Sequence, residues 1–202
     1  MYKIAAFIKF NKSFENIVLL QKDKIKKKFG KQIYLDHPVH LTLFTLNIKK
    51  ITTLRNIYND EKIHKKERKL KIEINSTGIF ANDPLTKGHT LFYSIKKNLL
   101  LKSLQMKHLK LINKKIKVFK QNSNIFKNSI LKKNYNKYGF PFAGKIWIPH
   151  VTAASIKNIN ENNSFISNFL KKKINQKILI KNIEFYRISK NKHYFLFKTN
   201  VS

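Results

Sequence analysis

The apolar positions along the chain switch between two periods. YKIAAFIKF, residues 2–10, is a short apolar run of strand type. SFENIVLLQKDKIKKKF, 13–29, has helical spacing, with Ser13 as the expected N-cap, Glu15 in the first turn, lysines near the end and Gly30 as the stop. QIYLDHPVHLTLFTLNI, 32–48, returns to a strand pattern, with Pro38 near its entry. A helix over 52–67 and a strand over 69–80 follow.

The same order then repeats. HTLFYSI (89–95) reads as a strand, and 98–119 sets Leu101, Leu104, Leu109, Ile112 and Ile116 at helical spacing. GKIWIPHVTAASI (144–156) reads as a strand, 161–174 as a helix and 176–188 as a strand. HYFLFKTNV (193–201) adds a last strand. The segment 120–143 has no counterpart in the first half and is expected to be an insertion, a short helix plus a loop. This duplicated order, with little identity between the halves, predicts an α+β protein of two similar lobes. Such lobes pack about a pseudo-two-fold axis, as identical subunits pack about a true one.

Each half carries the same short motif at the same place, His40-Leu-Thr42 in the first and His150-Val-Thr152 in the second. With 7 His in the chain, about one His-x-Ser/Thr arises by chance, so the spelling alone carries little. The equivalent placement carries more. Residues i and i+2 of a strand share a face, and the pseudo-axis brings equivalent strands together. One cleft lined by two imidazoles and two hydroxyls is the expected result. Phe44 and Ile148 share the histidine faces and are expected to floor it. His37, His64, His89, His108 and His193 have no partner at an equivalent position and read as ordinary.

Composition narrows the chemistry. The chain has 202 residues, 42% hydrophobic content and 16 Phe, enough for a sizeable core. It has no Cys, so a disulfide framework, a thiol nucleophile and a Cys-based zinc site are excluded. His-x-Thr offers one metal ligand per strand, and there is no HExxH, no His-x-His and no Asp cluster, so no metal or other cofactor is expected. MYKIAAFIKFNKSF reads as neither a signal peptide nor a membrane span, which makes the cytoplasm the expected location. Net charge is +33, from 43 Lys+Arg against 10 Asp+Glu, and such a field attracts polyanions, nucleic acid first. Almost all of it is lysine, with Arg55, Arg68 and Arg187 the exceptions. Lys, Asn and Ile share A/T-rich codons, so selection for binding and codon composition are both open as its origin.

Two imidazoles with an unperturbed pKa of about 6.5 can supply a base and an acid near neutral pH. Two hydroxyls can hydrogen-bond the non-bridging oxygens of a phosphate. In-line displacement at phosphorus needs base and acid on opposite sides, which two facing strands provide.

HLTL (40–43) and PHVT (149–152) resemble the paired signatures of the 2H phosphoesterase superfamily. The chain is most similar to its branch of 2′-5′ RNA ligases and RNA 2′,3′-cyclic phosphodiesterases. The resemblance covers nearly the whole chain. It implies one 2H-type domain over 1–202 with intertwined lobes, and metal-independent phosphodiester hydrolysis. It gives His40 and His150 as the catalytic pair and Thr42 and Thr152 as phosphate-binding residues. The implied partner is RNA or an oligonucleotide with a 2′,3′-cyclic or 2′-5′ linked terminus. No membrane association is expected, and a monomer is. The arginine that this branch often carries after its second motif is replaced by Ala153-Ala154-Ser155, and FTLNI (44–48) lacks the ligase-type glycine. A basic RNA-binding protein of this fold without turnover, and a 3′ exonuclease of the same superfamily, remain alternatives.

Overall fold

The structure, a computed structural model, describes residues 1–59, 70–120, 122–190 and 192–201. β1 (Tyr2–Ile8) leads into α1 (Lys12–Phe29), then β2 (Leu41–Ile48), α2 (Ile51–Asn59) and β3 (Leu70–Asp83). β4 (Gly88–Ile95), α3 (Leu99–Lys115), β5 (Val118–Phe119), α4 (Ser129–Tyr138), β6 (His150–Ile156) and α5 (Ser164–Leu170) follow. β7 (Gln176–Ile180), β8 (Asn182–Ser189) and β9 (Lys192–Asn200) complete the chain. Residues 60–67 of the expected second helix, with His64, lie outside the described residues, as does Arg68.

Asparagine starts four of the helices. Asn11, Asn98, Asn128 and Asn163 each accept a hydrogen bond from a first-turn backbone N–H, which satisfies a donor that the helix itself leaves unpaired. The cap of α1 is therefore Asn11 rather than Ser13. The cap lies two residues earlier than the apolar period suggests, and the Asn11 carboxamide oxygen accepts from Phe14 N at 3.0 Å. Gly30 ends that helix at φ 68, its N–H donating to Lys26 O at 2.9 Å.

The strands form one antiparallel sheet in the order β7-β3-β4-β6-β2-β1-β8-β9, with β5 paired to β2. The expected α+β class and the two-fold repetition are both present. The pseudo-axis runs between β6 and β2, with β4 matching β1 and β3 matching β8 on either side. The halves exchange elements across it. α1 follows β1 but packs on β6, and α3 follows β4 but packs on β2. β3 leaves the first half to pair with β4, and β8 leaves the second to pair with β1. One apolar core runs through both lobes, including Phe14, Val18 and Ile25 of α1 and Leu101, Leu109 and Ile112 of α3.

Several elements are shorter than expected. Strand geometry begins at Leu41, not at 32, and at His150, not at 144; 144–146 is a turn of 3₁₀ helix. α3 ends at Lys115, and the span 176–188 divides into β7 and β8. The first difference has a clear cause. Lys22 lies on the buried face of α1, and its ammonium donates to Tyr34 O (2.7 Å), Leu35 O (3.2 Å) and His37 O (2.6 Å). A buried cation must be satisfied, and those three carbonyls can turn to it only if the segment leaves the sheet. Tyr34 takes φ 71 to make the turn. Only Ile33 keeps an isolated bridge, to Ser155.

Candidate active site

β2 and β6 pair at one position, Leu41 opposite Val151. Both side chains are buried in the core (1% and 0% exposed). Their neighbours at i±1, His40, Thr42, His150 and Thr152, are only partly buried and face the other way. The antiparallel register set by that pair places His40 across from Thr152 and Thr42 across from His150. The two histidines are then diagonal, with Cα atoms about 8 Å apart from the strand spacing and rise. Beyond this pair the strands diverge. The Leu43 carbonyl, left without a strand partner on that side, accepts from the buried Gln105 Nε2 at 2.8 Å.

The pseudo-symmetry extends to atoms. His40 Nδ1 lies 2.6 Å from Pro38 O, and His150 Nδ1 lies 2.7 Å from Ile148 O. A carbonyl can only accept, so each Nδ1 carries the proton and each Nε2 is the free nitrogen. Each ring packs on a phenylalanine from the adjacent strand. Phe7 stacks on His40 at 3.8 Å between centroids, and Phe92 lies 5.1 Å from His150. Phe7 pairs with Thr42 and Phe92 with Thr152, each just after a register shift in its strand. Gly78 on β3 lets the Phe92 ring lie flat, since a Cβ there would meet its Cζ at 2.5 Å.

The surroundings of the two imidazoles differ. Burial is the main cause that pushes the His40 pKa down, to about 3, against the upward effect of the Pro38 carbonyl; His193, Lys9 and His37 push it further down. Burial also lowers the His150 pKa, but there both the Ile148 carbonyl and Asp83 act upward. Both rings are therefore neutral in the unliganded protein near pH 7.

Phe44 is buried but does not floor the cleft: the register shift between Ala6 and Phe7 pairs it with Ala6 on the core face, while Thr42 pairs with Phe7 on the histidine face. Ile148 is 53% exposed, because β6 starts only at His150. Ala153, Ala154 and Ser155 are fully buried, and the Ser155 hydroxyl is 2.6 Å from that of Thr86, so this stretch is interior sheet. His89 and His108 are buried and hydrogen-bonded, to Asn82 N and the Tyr58 hydroxyl. His37 and His193, which read as ordinary in the sequence, lie beside His40. The His193 ring is 5.8 Å from that of His40 and 4.7 Å from that of His37. A lone histidine on the last strand gives no sign of this, because the curl of the sheet creates the contact. Despite the cluster, no three His, Cys, Asp or Glu among the described residues are placed to hold one metal ion. Nor is any described helix long and apolar enough to cross a membrane.

No protein-family profile matches the chain, and none of the curated proteins does. Solved structures do. TT0787 of Thermus thermophilus superposes with a TM-score of 0.65 at 13% identity, covering 98% of this chain and 97% of that one. A protein described as a phosphoesterase gives 0.60 at 9% identity, over 100% and 98%. E. coli LigT in complex with 3′-AMP gives 0.59 at 10% identity, over 100% and 98%. The chain has the fold of these proteins end to end, as its resemblance to the 2H phosphoesterase superfamily implies.

Proposed function

We propose that this chain is a metal-independent phosphodiesterase acting on RNA or oligonucleotide ends that carry a 2′,3′-cyclic phosphate or a 2′-5′ linkage, with 2′-5′ ligation as the reverse reaction. The observation that carries this reading is the diagonal placement of two histidines with matching Nδ1–carbonyl bonds, each opposite a threonine. The fold shared with a phosphoesterase and with LigT, which has been crystallised with 3′-AMP, supports it.

The phosphate sits over the strand pair, its non-bridging oxygens accepting from the Thr42 and Thr152 hydroxyls. The free Nε2 atoms of His40 and His150 then flank phosphorus on opposite sides. Among neighbours that are themselves basic, His40 stays neutral and takes the proton of the attacking water. His150, supported by Asp83, takes up a proton as the anionic substrate arrives and gives it to the leaving alkoxide. Each backbone carbonyl holds its ring in one tautomer throughout; after the step His40 releases its proton to solvent, and His150 takes one up with the next substrate.

The test is incubation of the purified chain, in EDTA, with a panel of 2′,3′-cyclic and 2′-5′ linked oligonucleotides. Hydrolysis of at least one, with a single phosphate regioisomer as product, is the expected result. Tight RNA binding with no turnover of any panel member would leave an RNA-binding protein of this fold. Processive release of 3′ nucleotides would make it an exonuclease.

A further inference from the structure

We propose that His193, His37 and Lys9 form a second anion subsite beside His40, which takes a further phosphate of the substrate, so that ends bearing two phosphates are preferred to a bare nucleoside phosphate. This rests on the reading above for where the first phosphate sits.

The subsite is a product of the curl of the sheet. β9 stands three strands from β2, about 14 Å away in a flat sheet. Yet its His193 ring lies 5.8 Å from His40 and 5.4 Å from Phe7. Among the described residues the other lobe shows no such cluster of cationic groups: the rings around His150 are those of Phe80 and Phe92, and the charge that acts on it is that of Asp83. The cluster is therefore an addition on one side of the pseudo-axis, and the shared fold alone does not explain it.

Its groups are free to bind. The described residues provide no hydrogen-bond partner to the ring nitrogens of His37 or His193, and no buried polar side-chain atom is left unsatisfied, so those nitrogens face solvent. Lys9 donates to the Val39 carbonyl at 3.1 Å, which leaves its other protons available. Lys22, held under the loop by three carbonyls, adds a fixed charge beneath. Negative charge nearby is small. Asp36 is exposed, and Glu184 accepts from the Tyr186 hydroxyl at 2.5 Å.

Burial first, then the neighbouring cations, lower both His37, to about 4, and His193. The unliganded cluster avoids self-repulsion by keeping its imidazoles neutral. A phosphate dianion reverses that balance, drawing protons onto the rings and gaining charge-assisted hydrogen bonds from two imidazolium groups and an ammonium. Contact with His40 places this anion next to the first phosphate, close enough for one ligand to hold both.

Calorimetric titration of the full chain with adenosine 2′,5′-bisphosphate and adenosine 2′-monophosphate tests the proposal without requiring turnover. The bisphosphate is expected to bind the wild type about tenfold tighter or more. That ratio should fall to within about threefold in His193→Asn and in Lys9→Gln, two independent variants whose folding is checked by circular dichroism. Lys177→Gln, which removes an exposed charge on the far edge strand β7, should keep the ratio. Equal affinities in the wild type would overturn the subsite, as would failure of the bisphosphate to bind, or a loss in Lys177→Gln as large as in His193→Asn. Failure of the phosphodiesterase reading would look different: no turnover of any cyclic or 2′-5′ linked ligand, with the binding ratio intact.

Discussion

Four side chains carry the proposed chemistry, and their roles separate by experiment. His40→Ala and His150→Ala are each expected to lower turnover on the order of 10²-fold or more, the usual worth of a positioned acid or base, while the fold survives. A 2′-5′ linked substrate with sulfur at the leaving position distinguishes the two. A thiol with a pKa of about 8.5 leaves without a proton donor, so the loss in His150→Ala should shrink while that in His40→Ala persists. The opposite pattern would exchange the assignments. The pH dependence of kcat/KM reports the free protein. With His40 lowered to about 3 and His150 lowered from 6.5, His40 is deprotonated above about 3 and His150 stays protonated only up to a pKa below 6.5. The optimum should lie between those limits, acid of pH 6.5, with activity falling as pH rises through neutrality. An optimum above pH 7 would contradict the proposed surroundings of both rings. The motif residues were legible in the sequence, because a repeated tripeptide at equivalent positions survives the loss of all other identity. Their supports were not, since Phe7, Phe92 and His193 reach the histidines through strand pairing and sheet curl, and pairing leaves no local spelling.

At the scale of elements, the cleft depends on two strands that pair at one residue and then diverge. Divergence leaves the Leu43 carbonyl exposed within the interior, and α3 supplies the remedy. Gln105, fully buried, donates to Leu43 O and Phe142 O and accepts from Gly144 N at 2.9 Å. Gln105→Leu keeps the bulk but strands those groups, at a cost on the order of 2 kcal/mol or more. Urea denaturation measures it, and a loss below about 0.5 kcal/mol would show that the bridge is dispensable. Most elements were legible from apolar periodicity; the differences lay at their ends, in the division of 176–188 into β7 and β8, and in β5 at the end of the expected third helix. The strand expected from residue 32 fails because Lys22, four residues after Val18 on the buried face of α1, draws three carbonyls out of the sheet. A lysine at an apolar position is visible in the sequence, but the carbonyls it will take are not.

At the scale of the molecule, a net charge of +33 should make affinity for long RNA fall more steeply with salt than affinity for a dinucleotide, through counterion release. Fluorescence anisotropy across a salt series measures both slopes. Equal slopes would show that the lysines act only within the cleft. The sequence by itself determined the α+β class, the two-fold repetition and the two His-x-Thr strands, because periodicity and motif spacing are local properties that each half writes independently. Only the tertiary structure decided that the halves exchange helices and strands, that His40 lies across from Thr152 and Thr42 from His150, and that the two imidazoles differ electrostatically. Those features depend on strand register and on the curl of the sheet, which arise from packing the two halves together and so are spelled in neither one alone.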